Sequence, residues 1–318
     1  MGGFFSDQIR ISTLELDNVS LSADAVKRVG DWSQVEGKQA AAEIETIRIK
    51  GLKLDVKPAL DPFGADLRFT RDGALRDATL REGGGKWTAT FKPAGKGVMD
   101  VDFYARYWTL PIGAPIPVSE VKLKGQVTAS ELIVPEFEAD AMEGKVNGTL
   151  KITWGSGVRL ESDLSVAKLK ADELMGSITK DVKVTGKLDG NFIVSAESAE
   201  LATLLAAPRA QGKFRLAEGS VSNVDLVAVM QSDAAGQRAG VTKFAELTGE
   251  VTGGDNRTSY RNIVLQGGVL RGSGAMDIGQ NSALSGRLLL EIRSQVAQDR
   301  GSFSVSGTVA KPSIRRGG

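Results

Sequence analysis

The sequence predicts a mainly β protein: an elongated, strongly curved antiparallel sheet, or half-open β-groove, with a few short helices. Glycine is abundant, at 38 of 318 residues, about 12% against a usual level near 7%. It follows no G-X-Y period and is spread among β-branched residues, the signature of many short strands and turns. Long stretches also alternate apolar and polar residues with the period of two that a half-buried strand requires.

The chain opens on such an alternation, with Ile9, Ile11, Leu14, Leu16, Val19 and Leu21. Residues 22–46 break the period. Their Ala-rich stretches with Val26, Val29, Trp32 and Val35 predict one or two short helices, interrupted at Gly30 and Gly37. Strand spacing returns at Ile47, Ile49, Leu52, Leu54 and Val56, and the segment 58–62 reads as a turn. From Leu67 to Asp102 a β-meander is expected, with turns at Arg71-Asp72-Gly73 and Gly83-Gly84-Gly85. An aromatic stretch, 102–108, then leads to Pro111, Pro115 and Pro117. Proline cannot donate to a ladder, so 109–118 is expected to be a connection and the boundary between residues 1–117 and a continuous second portion, 118–318. In that portion strands are predicted through 119–165, 182–195, 211–221, 244–252, 259–279, 283–293 and 302–310. Helices are predicted at 168–178, 198–206 and 223–231, the last capped by Ser222 or Asn223.

One five-residue phrase recurs six times: apolar, polar, Gly, polar, apolar. It reads Leu123-Lys-Gly125-Gln-Val127, Val146-Asn-Gly148-Thr-Leu150, Val184-Thr-Gly186-Lys-Leu188, Leu247-Thr-Gly249-Glu-Val251, Leu284-Ser-Gly286-Arg-Leu288 and Val305-Ser-Gly307-Thr-Val309. In a strand, residues i, i+2 and i+4 share a face, so each glycine is expected between two aliphatic side chains. Glycine costs stability there, which implies that the missing side chain serves a purpose. Two purposes fit: curvature, through bulges or close packing, and an apolar trough wide enough for an alkyl chain. If the backbone at Gly148, Gly249 and Gly286 is ordinary β, alanine is expected to be tolerated there. The phrases are irregularly spaced, so no fixed-period solenoid is expected. Gly144-Lys-Val146-Asn-Gly148 does echo Gly268-Val-Leu270-Arg-Gly272, as two diverged copies of one hairpin would.

Composition narrows the function classes. The chain has no cysteine and no histidine, which removes thiolate nucleophiles, Ser-His-Asp pairs, most zinc sites and the usual proton shuttle. A non-enzymatic protein without cofactor is expected. Net charge is +1 with 40 basic and 39 acidic side chains and no basic stripe, so nucleic acid is not an expected partner. No run of about 18 apolar residues is present to span a bilayer. Met1-Gly2-Gly3-Phe4-Phe5-Ser6 fits the loose myristoylation pattern, but a start that replaced a deleted segment is the expected explanation.

Residues 211–312 resemble the C-terminal region of AsmA-like proteins. The resemblance is carried by Gly212-Lys-Phe-Arg-Leu-Ala-Glu-Gly219, Asn223-Val-Asp-Leu-Val, Thr242-Lys-Phe-Ala-Glu-Leu-Thr-Gly249, Tyr260-Arg-Asn-Ile-Val-Leu265, Gly272-Ser-Gly-Ala-Met-Asp-Ile278 and Val305-Ser-Gly-Thr-Val-Ala-Lys-Pro312. Leu16-Asp-Asn-Val-Ser-Leu21 is similar to an N-terminal phrase of the same group. The resemblance implies a periplasmic β-structure anchored in the inner membrane by an N-terminal helix that this chain lacks. Through TamB-like and YhdP-like relatives it also implies a role in handling phospholipid or another acyl-chain lipid for outer-membrane homeostasis or assembly. The groove residues would then be the eighteen aliphatic and glycine positions of the six phrases. The alternative is a structural adaptor whose apolar face is covered by its own helices or by another envelope protein. About 20 strands roughly 4.8 Å apart would make a ribbon of about 95 Å at most, so spanning a periplasm would need a partner or a longer chain.

Other motifs carry less. Phe103, Tyr104, Tyr107 and Trp108 suit a bilayer interface or docking surface, or else plug a sheet corner. Asp100 and Asp102, and Glu136, Glu138 and Asp140, have the spacing of one strand face, where acid–base work, cation binding or simple solvation are the options. Gly83-Gly84-Gly85-Lys86 lacks the earlier glycine of a phosphate loop, and Trp87 stands where Ser or Thr is needed. Arg315 and Arg316 read as a solvated tail or a contact for lipid headgroups.

Overall fold

The computed structural model describes residues 9–22, 42–55, 59–110, 116–178, 180–231, 239–293 and 298–317. Among these residues it is mainly β, with one large curved sheet of 19 strands and two short helices. At the N-terminal end β1 (Ile9–Ile11), β2 (Leu14–Asp17) and β3 (Ser20–Ser22) follow one another along a single line. They run parallel to β4 (Ala42–Ile44) and β5 (Thr46–Asp55). Parallel neighbours need a long crossover. The predicted helices of 22–46 fall largely on residues 23–41, outside the described residues, whereas Ser22 and 42–46 are strand or strand edge.

From β5 onward the chain is an antiparallel meander in which each strand pairs with the next. The strands are β6 (Phe63–Phe69), β7 (Leu75–Glu82), β8 (Trp87–Gly95), β9 (Val98–Leu110), β10 (Ile116–Val127), β11 (Glu131–Ala141), β12 (Gly144–Trp154) and β13 (Val158–Lys170). They continue as β14 (Val184–Ser198), β15 (Arg209–Ser222), β16 (Val241–Gly254), β17 (Arg257–Gly267), β18 (Leu270–Ile278), β19 (Leu284–Arg293), β20 (Gln298–Gly307) and β21 (Pro312–Arg316). Among the described residues β2 and β3 pair only with β5, and β21 only with β20, so the sheet is not closed.

Several sequence expectations are corrected by this ladder. The connection after the aromatic stretch is shorter than 109–118, because Leu110 pairs with Ile116 and Pro117 with Thr109. Pro117 fits because β11 reaches β10 only from Glu120 onward, so its missing N–H faces no partner strand. The predicted helix at 198–206 is a single 3-10 turn, Leu201–Thr203, after β14 has run on to Ser198. The helix at 168–178 is shorter, α1 (Ala171–Ile178), since Leu169 and Lys170 still pair with β14. The third is α2 (Leu226–Met230), and its cap is Asp225, whose Oδ1 accepts the N–H groups of Val227 and Ala228 at 3.0 Å each. Asn223 instead adopts φ +72° and donates from Nδ2 to the Asp181 carbonyl at 2.7 Å. The C-terminal arginines belong to β21, which sequence reading missed. Arg316 pairs with Asp299 at 2.8 Å and lies over the Phe303 ring.

Turn chemistry follows the residues in places. Thr70 to Ala74 closes the predicted Arg71-Asp72-Gly73 turn. The two echoes sit differently on their hairpins: Gly144 starts β12 just after the Met142-Glu143 turn, whereas Gly268 lies in the turn itself, with Val269, before β18 starts at Leu270. At Met142 and Glu143 φ is +48° and +58°, the hairpin geometry that matches strand twist.

With only one sheet layer, burial comes from curvature and from the small helices. The largest core cluster runs from Ala105 on β9 to Ile314 on β21 and takes in Leu226, Val229 and Met230 of α2. A smaller cluster around Leu160, Ala196 and Leu204 packs under the 3-10 turn. A third, around Leu52, Phe63 and Ala65, closes the N-terminal end.

Candidate functional site

Directly paired residues of neighbouring strands lie on the same face of a sheet. Following the pairs outward from Gly148 on β12 therefore traces one row across the molecule. Toward the N-terminus Gly148 pairs with Phe137, then Leu123, Phe103, Ala89, Leu80, Ala65, Ile49 and finally Leu16. Toward the C-terminus it pairs with Leu164, then Phe192, Gly212, Val251, Tyr260, Met276, Gly286, Val305 and Ile314. Every strand of the sheet except β3 contributes one residue. None carries a charge, and the Tyr260 hydroxyl is the row's one polar side-chain group.

The opposite face is polar. One residue along, the register joins Glu15, Arg48, Asp66, Thr79, Thr90, Asp102, Lys124 and Glu136. Farther on it joins Asn147, Ser165, Asn191, Lys213, Glu250 and Arg261. Arg48 bridges Glu15 and Asp66, and Arg81 also reaches Asp66 at 2.6 Å. Burial alone would raise the Asp66 carboxyl, and these two guanidinium groups more than reverse it, leaving it below the usual range. Asp77 is the most buried of these outer carboxylates, held by Arg68 at 2.6 Å and Arg76 at 3.2 Å.

The apolar row is buried toward both ends, at Ile49, Ala65, Ala89, Val305 and Ile314, although its first member, Leu16, is 37% exposed. From Phe103 through Gly286 its members are each only partly buried. Beside this stretch, the row Leu169, Leu188, Leu216, Leu247 and Leu265 lies deeper, in the core cluster that holds α2 and Leu174 of α1. On its other side Leu150 and Val194 pack on the Leu160 cluster. A shallow, open cavity of about 890 Å³ spans β11 to β16, lined mostly by polar-face residues such as Glu136, Asn147, Asn191, Lys213 and Glu250, with Gly148, Leu164, Phe192, Gly212 and Val251 of the row at its floor.

The repeated glycines have a definite geometric role. Gly125, Gly186 and Gly249 sit where the pairing register shifts, and Gly186 has φ +124°. Gly307 ends β20 with φ +87°, so Val309 lies beyond the strand, its N–H donating to the Ser282 carbonyl. Gly148 borders the β11 bulge between Val134 and Phe137, and Gly286 occupies regular ladder. At Gly148 a Cβ would lie 2.1 Å from the Asp163 carbonyl oxygen, and at Gly286 2.6 Å from that of Ala275. At Gly249 it would lie 3.0 Å from the Phe214 ring. The expectation that alanine is tolerated is therefore corrected at Gly148 and Gly286, where the neighbouring backbone approaches too closely, whereas at Gly249 the Phe214 ring need give only a few tenths of an ångström. Large side chains lean over glycines of the paired strand, as Phe192 over Gly212, Phe214 over Gly249 and Leu288 over Gly274. On the concave side of a curved sheet side chains converge, and glycine makes room for its neighbour.

Of the other phrase residues, Leu123, Val251 and Val305 fall in the row. Val146 and Leu150 flank Gly148 on separate clusters, while Leu247, Leu284 and Leu288 pack on the main core. Val184 and Leu188 flank the Gly186 bulge, and Val127 pairs with Met99 and Leu132. The aromatic stretch divides. Phe103 and Trp108 pack inward, 5.3 Å apart, in a chain with Trp87 and Phe63. Tyr104 is 37% and Tyr107 77% exposed, on the other side. Tyr107 has φ +46°, and here both β9 and β10 switch faces, which keeps their register unbroken.

Among the described residues no cluster of three metal-ligating side chains is present. Asp100 accepts from Gln126, and Asp102 and Asp140 pair with Lys124 and Lys145. The Gly83-Gly84-Gly85 turn is occupied by Glu82, whose carboxylate accepts the Lys86 N–H at 2.9 Å. Sequence reading missed Phe137, Leu164, Phe192, Gly212, Tyr260 and Met276. Each stands in an alternating strand, but only cross-strand pairing aligns them. No family model, no curated protein and no solved structure matches the chain.

Proposed function

We propose that this chain is a non-catalytic bacterial envelope protein that binds or conducts lipid acyl chains along its apolar row. The observation that supports this most is the uncharged row crossing the whole sheet, partly open from Phe103 to Gly286 and backed by a polar outer face. Alkyl chains gain free energy in proportion to the apolar surface removed from water, which such a row supplies without bond chemistry. The absence of histidine and cysteine from the sequence agrees with a role without turnover. The AsmA-like resemblance of residues 211–312 points to the periplasm, with the inner membrane as the anchoring surface. No helix among the described residues is long and apolar enough to cross a membrane.

One observation favours a structural adaptor instead. Phe192, Phe214 and Leu288 fill the notches opposite Gly212, Gly249 and Gly274, so part of the concave face is satisfied by the chain itself. Native mass spectrometry of protein purified from membranes decides between the two. Co-purified phospholipid that exchanges with added fatty acid supports the lipid reading. Protein free of lipid that also takes up none supports the adaptor.

A further inference from the structure

The row holds one hydroxyl among apolar neighbours. Tyr260 on β17 lies between Val251 and Met276, with its ring edge-on to Phe214 at 6.1 Å. Packing explains the ring, since an edge-to-face aromatic pair is favourable in itself. It does not explain the oxygen, which a phenylalanine at this position would spare. Among the described residues the Tyr260 hydroxyl makes no hydrogen bond to the protein. No side-chain nitrogen or oxygen that is sealed from solvent lacks a partner, so this oxygen reaches open space. A hydroxyl open to solvent is hydrated in the free protein, and a ligand oxygen that replaces that water keeps the bond made while the acyl chain is buried alongside.

We infer that the Tyr260 hydroxyl is the polar recognition point of the row, donating a hydrogen bond to a carboxyl or ester oxygen of an acyl-chain lipid. The inference rests on the lipid reading above and assigns it a ligand class. Lipids with an oxygen acceptor at the head of the chain are held by the phenol, while the chain runs along the apolar row. Burial pushes the phenol above its ordinary range, so near neutral pH it keeps its proton and acts as a donor.

The test is displacement of the neutral dye N-phenyl-1-naphthylamine by decanoate, methyl decanoate and decane, from wild type, Tyr260→Phe and, as a control on the other face, Tyr104→Phe. Tyr260→Phe keeps the ring and should melt with wild type. It should weaken decanoate and methyl decanoate by about 2- to 10-fold, the worth of one hydrogen bond, and leave decane and the Tyr104→Phe profile unchanged. If the three ligands shift together or none shifts, Tyr260 only packs and the inference falls, while the lipid reading stands. If none of them displaces the dye from wild type, the lipid reading falls and takes this inference with it.

Discussion

Replacing Gly148 by alanine tests whether the repeated glycines exist to let strands approach. The added Cβ would meet the Asp163 carbonyl oxygen at 2.1 Å, and the Leu164 side chain at 3.2 Å. The obstructing atom is backbone within the β12–β13 ladder, so it cannot rotate away as a flexible side chain would. Relief requires the two strands to separate by about an ångström, or the sheet to flatten locally, an overpacking cost of about 1–3 kcal/mol. At roughly 2 °C per kcal/mol for a chain of this size, that lowers the melting temperature by about 2–6 °C. The companion change is Gly176→Ala in α1, where a Cβ meets nothing within 4 Å. There alanine should stabilise by up to about 1 kcal/mol, because it is the better helix former. Urea unfolding followed by circular dichroism reads both as shifts of the midpoint at constant slope. Gly148→Ala with wild-type stability would refute the reasoning, since the chain could then accept a side chain where the backbone leaves no room.

Other perturbations address separate parts of the account. Leu290→Ala, at a position 1% exposed, should cost about 2–5 kcal/mol by opening a cavity in the main core. Asp225→Ala removes two hydrogen bonds to the first turn of α2 and should cost about 1 kcal/mol; amide exchange should quicken around 226–230 and not in β12. For pH, Glu15 is lowered by its hydrogen bond from Lys50, Asp277 by those from Ser259 and Arg261, and Asp299 by that from Arg316. Their folded values lie below their unfolded ones, so the stability they contribute is present above the unfolded carboxylate range and is lost as pH falls through the folded values. Without histidine in the sequence, the melting temperature should be flat from about pH 5.5 to 8 and fall in acid, less steeply in high salt. A transition near pH 6.5 would contradict this assignment.

Face assignment was legible in the sequence wherever the period of two ran unbroken. The alternation Gly144-Val146-Gly148-Leu150-Ile152 places all of these residues on one side, as the burial pattern of β12 shows. Bulges limited that reading. At Gly186 and Gly249 the register shifts, and at Tyr107 both strands change face, so counting in twos fails beyond them. Pro117 misled because a proline's cost depends on which edge is paired, which one strand alone does not reveal. The parallel pairing of β2 with β5 joins segments separated by a long crossover, and local pattern carries no trace of it. The row itself was illegible for the same reason: Gly148, Gly212 and Gly286 are far apart in sequence and align only through pairings in series. Tyr260 stood in view within Tyr260-Arg-Asn-Ile-Val-Leu265, yet its isolation as the row's only hydroxyl appears only once its neighbours are known.

The most direct test of the central claim is photocrosslinking. Protein is mixed with phosphatidylcholine vesicles containing a fatty acid with a mid-chain diazirine, irradiated, and mapped by peptide mass spectrometry. The account predicts adducts on the row from Phe137 through Leu164, Phe192 and Val251 to Met276, reduced by excess unlabelled fatty acid. Adducts confined to the opposite face, at Ile133, Ile193 or Leu289, or no adduct that unlabelled fatty acid competes away, would contradict it.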